Sequence, residues 1–93
     1  ALAEAYQRPV APHDCNGPVV WVASIHLMMH IPNALIMEAV RAYYSTWYKD
    51  TITEVPEVKD GYITPLTGPG LGTRLLPDLL RQAGVQVKRS DLG

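Results

Sequence analysis

Apolar residues in this chain fall in short dense runs, separated by proline, glycine and asparagine. The run Arg8-Pro-Val-Ala-Pro-His is short, apolar and bounded by prolines, which predicts a buried parallel strand ending at His13. Asn16 offers an N-cap and Pro18 suits a first helical turn, so a helix is predicted from Pro18 to about Met29. Its residues Val19, Val20, Trp21, Val22, Ala23, Ile25, Leu27, Met28 and Met29 are apolar on nearly every side, as in a helix packed on several faces. Pro32 and Asn33 stop it, and Ala34 to Met37 then predict a second buried strand that ends at Glu38. Strand, helix, strand is a βαβ unit, with a parallel sheet and a right-handed crossover.

The rest of the chain is more broken. Residues 1–7 are strong helix formers without an N-cap, as at the tail of a helix. Glu38 to Trp47 fits either a loop or a helical turn. Thr51-Ile-Thr-Glu-Val-Pro followed by Val58-Lys-Asp-Gly-Tyr-Ile-Thr predicts a hairpin around Asp60-Gly61. Pro65 to Gly72 is a Gly/Pro loop. Leu75 to Gly84 predicts a helix of roughly two turns closed by Gly84, and Val85 to Gly93 an extended polar tail. The chain divides into 1–48, which carries the strands and the helix, and 49–93, a tail. Two strands and one crossover helix leave both sheet edges open. The missing strands are therefore expected from elsewhere, and Trp21, Val22, Ile25 and Met28 are expected to form an exposed apolar face that promotes association.

Composition narrows the function classes. With 93 residues, 47% of them hydrophobic and 18% charged, the chain can form one small globular unit with a modest core. A formal net charge of −1 gives no electrostatic footprint for nucleic acid or an anionic membrane. One cysteine excludes an internal disulfide framework and points to a reducing, cytoplasmic compartment. No apolar run reaches the roughly 18 residues of a membrane span. The opening Ala-Leu-Ala-Glu-Ala-Tyr-Gln has neither methionine nor a basic stretch and reads as a helix entered in mid-course, so the chain is expected to be cut from something larger.

His13 and Glu38 are the candidate catalytic residues. Each ends an apolar strand run, and an α/β barrel presents its catalytic side chains at the carboxyl ends of strands, where these two would face one cavity. Other candidates have plainer readings. His26 and His30 have the i, i+4 spacing of zinc ligands, but no third ligand is evident, so they read as core or interface histidines. Cys15 reads as a buried structural thiol. Gly68-Pro-Gly-Leu-Gly lacks the Gly-Lys-Ser/Thr ending of a phosphate loop, and Pro69 removes a backbone donor, which leaves a sharp turn. Tyr43, Tyr44, Trp47 and Tyr48 are flanked only by Arg41 and Lys49, so loop packing or a subunit interface fits them better than nucleic-acid stacking.

Three stretches, in order, carry a resemblance: Ala11-Pro-His-Asp-Cys-Asn-Gly-Pro-Val, Ile31-Pro-Asn-Ala-Leu-Ile-Met-Glu, and Asp60-Gly-Tyr-Ile-Thr-Pro-Leu-Thr-Gly-Pro-Gly-Leu-Gly. They resemble the C-terminal part of the enolase superfamily, in its mandelate racemase and muconate lactonizing enzyme group, and within it the galactonate dehydratase-like sugar-acid dehydratases. The resemblance implies an α/β fold: the last two strands and intervening helix of a modified TIM barrel, plus a tail that returns to an N-terminal capping domain. Arg8–His13 would be the seventh strand, Pro18–Met29 the next helix and Ala34–Glu38 the last strand. A whole TIM barrel takes about 250 residues. The resemblance further implies a magnesium ion held by carboxylates on the third to fifth strands, and an acidic partner for the histidine on the sixth; none of these lies in this chain.

The chemistry it implies is abstraction of the proton α to a carboxylate, with the metal offsetting the developing charge. His13 would be the base, since imidazole exchanges protons near neutral pH. Glu38 would hydrogen-bond a substrate carboxylate oxygen, and the β-hydroxyl would leave as water. The implied partners are an acid sugar, the remaining barrel and capping segments, and further copies of the chain, with no nucleic acid and no membrane. Racemisation or epimerisation uses the same first step, and a non-catalytic remnant that folds only by assembly remains the alternative. One departure stands out. The dehydratase branch tends to place cysteine directly after the histidine, whereas Asp14 intervenes here, a change that bears on substrate preference.

Overall fold

The computed structural model describes residues 1–91, and its longest element is the helix α2 (Pro18–His30), preceded by one turn of helix, α1 (Leu2–Ala5). α2 spans the predicted residues, but its N-cap is Gly17 rather than Asn16, and no side chain caps it. Gly17 sits at φ 150° and ψ 171°, a conformation open to glycine and hostile to side chains. Its carbonyl takes the Trp21 N–H at 3.1 Å, while Pro18 fills a first-turn position that needs no N–H. Extended Ile31 and then Pro32 end the helix.

On either side of α2 the chain pairs in parallel, as the βαβ pattern requires, but only at one bridge, Val10 with Ala34. The Val10 N–H donates to Asn33 O and the Leu35 N–H to Val10 O, both at 2.9 Å. Full strands over Arg8–His13 and Ala34–Met37 do not form. The next donor due on that side of the segment is Pro12, which has no N–H to give, so the ladder breaks after one bridge. The next bond joins Pro12 O to the Glu38 N–H at 3.2 Å, one residue later than a regular ladder would place it. That slip brings Glu38 level with the end of the histidine-bearing segment.

The core forms where α2 meets the tail. Trp21, Ile25 and Tyr48 are buried together, with Met37, Tyr43, Tyr44, Val55, Val58 and Ile63 packed around them. This overturns the expectation of an exposed face at Trp21, Val22, Ile25 and Met28. The first three are 0%, 0% and 4% exposed and Met28 is half-buried, because the tail folds back over that side of the helix. Val19, Val20, Leu27 and Met29 are the exposed large apolar residues of α2. The open stretch after Glu38 resolves into the helical turn α3 (Arg41–Tyr44) and a 3₁₀ turn (Trp47–Asp50). These deliver the aromatics to the core: Tyr44 stacks on Trp21 at 5.5 Å between ring centroids, and Tyr48 meets Trp47 edge-on at 4.5 Å.

The hairpin closes at Asp60-Gly61 as predicted. β1 (Val58–Lys59) pairs antiparallel with β2 (Tyr62–Ile63), and both turn residues have positive φ, 53° and 79°, as a type I′ turn demands. Thr51–Pro56 takes no part in it. Ile52 instead bridges Leu75, with the Thr53 N–H on Arg74 O and the Leu76 N–H on Thr51 O. That pairing uses the backbone of Leu75 and Leu76, and Pro77 holds Leu76 out of the helical region, so the helix predicted over Leu75–Gly84 shrinks to one 3₁₀ turn, Leu79–Arg81. The following residues are irregular and exposed; Leu92 and Gly93, the end of the predicted extended tail, lie outside the described residues.

Pro65 to Gly72 forms the sharp turn expected of it. Gly72 has φ 82°, and a Cβ there would lie 2.6 Å from Leu66 Cβ. His26 explains how the turn is tied down: its Nε2–H donates to Leu71 O at 2.8 Å, a structural role rather than a metal ligand's. Gly72→Ala is therefore expected to destabilise the protein by about 1–3 kcal/mol through strain and overlap together. Thermal denaturation of the variant checks this; an unchanged midpoint would show that the loop adapts freely.

Candidate active site

The slipped ladder sets His13 and Glu38 side by side. His13 Nδ1 lies 2.7 Å from Glu38 Oε1, with the two side chains 64% and 52% exposed. Both residues singled out from the sequence are thus brought together, in direct contact rather than merely across one cavity. With Glu38 accepting from Nδ1–H, the lone pair of the neutral ring is on Nε2. Nε2 faces the Cys15 thiol at 3.1 Å. Cys15 is exposed, so the expectation of a buried thiol is corrected.

Between them Asp14 turns the other way. It is 1% exposed and accepts the Tyr48 hydroxyl at 3.1 Å on Oδ2 and 3.3 Å on Oδ1. Burial pushes the Asp14 carboxyl above its ordinary value; the Tyr48 bond and the His13 charge oppose this, Glu38 adds to it, and the Gly17 amide opposes it. The Tyr48 phenol is pushed up to about 12, first by burial and then by the charge and hydrogen bond of Asp14. Sequence reasoning missed this buried pair. Its one available signal was a carboxylate lodged between an apolar strand run and an apolar helix, with a tyrosine cluster elsewhere to receive it.

The donor set does not fit magnesium, which asks for several oxygen ligands in near-octahedral array. Glu38 is engaged by His13 and Asp14 by Tyr48, and no cluster of three or more potential ligands occurs among the described residues. Nor, among those residues, is any helix long and apolar enough to cross a membrane.

The chain belongs to the enolase C-terminal domain-like family, whose model matches residues 1–79. Sugar-acid dehydratases are among its curated relatives. A D-xylonate dehydratase of Haloferax volcanii is 34% identical over 74 residues, which cover 80% of this chain and 18% of that protein. A D-galactonate dehydratase of Xanthomonas campestris pv. campestris is 32% identical over 88 residues, covering 89% and 23%. The chain therefore spans about a fifth of the length of the curated relatives it matches. Among solved structures, an enolase of the mandelate racemase subgroup from Agrobacterium tumefaciens is 55% identical with a TM-score of 0.78, covering 86% of this chain and 22% of that one. An enolase protein from Sargasso Sea environmental sequencing is 44% identical with a TM-score of 0.79, covering 89% and 22%. The fold is that of the enolase-like C-terminal domain, α/β with a small two-stranded sheet.

The raised values of Asp14 and Tyr48 set the sign of two pH effects. A carboxyl that binds its proton more tightly when folded loses stability as pH rises from its unfolded value, 3.8, through its folded one. The phenol likewise costs stability as pH rises from 10.0 to about 12. Urea midpoints of the parent chain should fall across both windows. Asp14→Asn should flatten the acid window and Tyr48→Phe the alkaline one; an unaltered pH profile in both variants would refute the assignment.

Proposed function

We propose that this chain is the segment of a sugar-acid dehydratase that carries the base for the α-proton. The contact between His13 and Glu38 supports this reading most directly, because it leaves Nε2 with its lone pair at an exposed site. In a barrel, Arg8–His13 would be the penultimate strand, α2 the crossover helix and Ala34–Glu38 the last strand; the parallel bridge between Val10 and Ala34 agrees with that order. His13 Nε2 takes the proton α to the substrate carboxylate. Glu38 orients the ring by accepting through Oε1, and Oε2, carrying the proton of the carboxylic acid, is assigned to donate to a substrate carboxylate oxygen as charge develops there. The β-hydroxyl departs as water with an acid from another segment. Magnesium, implied by the family resemblance, would take its ligands from outside this chain, since the donor set here does not hold it.

The test uses the whole enzyme that contains this segment and follows exchange of the acid sugar's α-proton in deuterium oxide by NMR. His13→Asn should abolish exchange while substrate still binds, and Glu38→Gln should cost about 10²–10³ in turnover, as for a lost oxyanion-hole donor. Wild-type exchange in His13→Asn would overturn the assignment of the base. The 93-residue chain on its own should turn over no acid sugar, with or without added magnesium; magnesium-dependent turnover by it would show that the site is complete within these residues.

A further inference from the structure

We propose that Cys15 is a base-activated thiol and a site of covalent modification by small disulfides, with His13 as its base and Glu38 as the group that orients the base. Three exposed side chains stand in line: Glu38 Oε1 is 2.7 Å from His13 Nδ1, and His13 Nε2 is 3.1 Å from Cys15 Sγ. Nucleophile, base and orienting carboxylate within hydrogen-bond reach is the arrangement that activates a weak nucleophile. The tautomer is right for it, since a carboxylate on Nδ1–H leaves Nε2 to accept the thiol proton. Asn16 Oδ1, the other acceptor near the thiol, is farther away at 3.7 Å.

Asp14 creates the alignment. His13 and Cys15 are exposed while the residue between them is buried, the in-and-out alternation of an extended backbone. A cysteine directly after His13 would turn inward towards Tyr48. With Asp14 occupying that inward place, the thiol comes round to the face of the histidine.

The exchange balances without further reagents. The thiol proton passes to Nε2, and Sγ attacks one sulfur of the disulfide. A new S–S bond to Cys15 forms as the old one breaks, and the departing thiolate recovers the proton from His13. The mixed disulfide then lies against Nε2, so modification blocks the nitrogen used for proton abstraction, and added thiol restores it. That consequence rests on the function proposed above; the reactivity of the thiol does not.

Dipyridyl disulfide is the probe, applied to the 93-residue chain, whose single cysteine makes thiopyridone release, read by absorbance at neutral pH, a report on Cys15. The folded protein should react about tenfold or more faster than the same chain in urea, and faster than His13→Asn by a similar factor. Glu38→Gln should fall between, and Cys15→Ser should release nothing. A folded protein no faster than the denatured chain, or a His13→Asn variant reacting at the wild-type rate, would overturn the proposal. Neither reading depends on substrate turnover, so loss of α-proton exchange in His13→Asn with thiol reactivity intact would overturn this proposal alone.

Discussion

Tyr48 is the residue on which the rest of the arrangement turns. Its ring lies in the core against Trp21 at 5.7 Å, and its hydroxyl ends on the buried carboxylate of Asp14. One side chain thus ties the aromatic tail to the helix and to the loop that carries the reactive groups. Hydrogen bonds to charged groups contribute about 1.5–3 kcal/mol, and an aromatic pair about 0.5–1.5 kcal/mol beyond its buried area. The few exposed backbone bonds around Val10 and Ala34 contribute less each. The position of His13 therefore depends more on the tyrosine at the far end of the loop than on the pairing of its own segment.

Much of the candidate site could be read from the residues. His13 and Glu38 end apolar runs at a spacing that one crossover helix can span, and chain direction follows from that alone. The length of the pairing could not be read in the same way, because a strand bounded by prolines still looks apolar while lacking donors. The exposure of Cys15 and the burial of Asp14 were not legible in the same way. Burial of adjacent residues depends on which face the tail covers, and no local pattern encodes that.

Asp60-Gly61 made the hairpin legible because a two-residue turn with positive φ is a local requirement. The helix expected over Leu75–Gly84 had adequate composition, yet the pairing of Ile52 with Leu75 is a contact between distant residues that outweighed propensity. The apolar face of α2 was similarly assigned to missing partners when the chain's own aromatics covered part of it. What stays uncovered, at Val19, Val20, Leu27 and Met29, lies on other sides of the helix.

The two tryptophans occupy opposite environments. Trp21 is wholly enclosed and stacked on Tyr44, while Trp47 is 40% exposed at the rim. Their fluorescence accordingly divides into a sheltered component and one open to aqueous quenchers, with neighbouring tyrosines placed to pass excitation to both. Because the sheltered indole and the Asp14 loop meet at the same phenol, light emitted from the core doubles as a report on the geometry around the histidine.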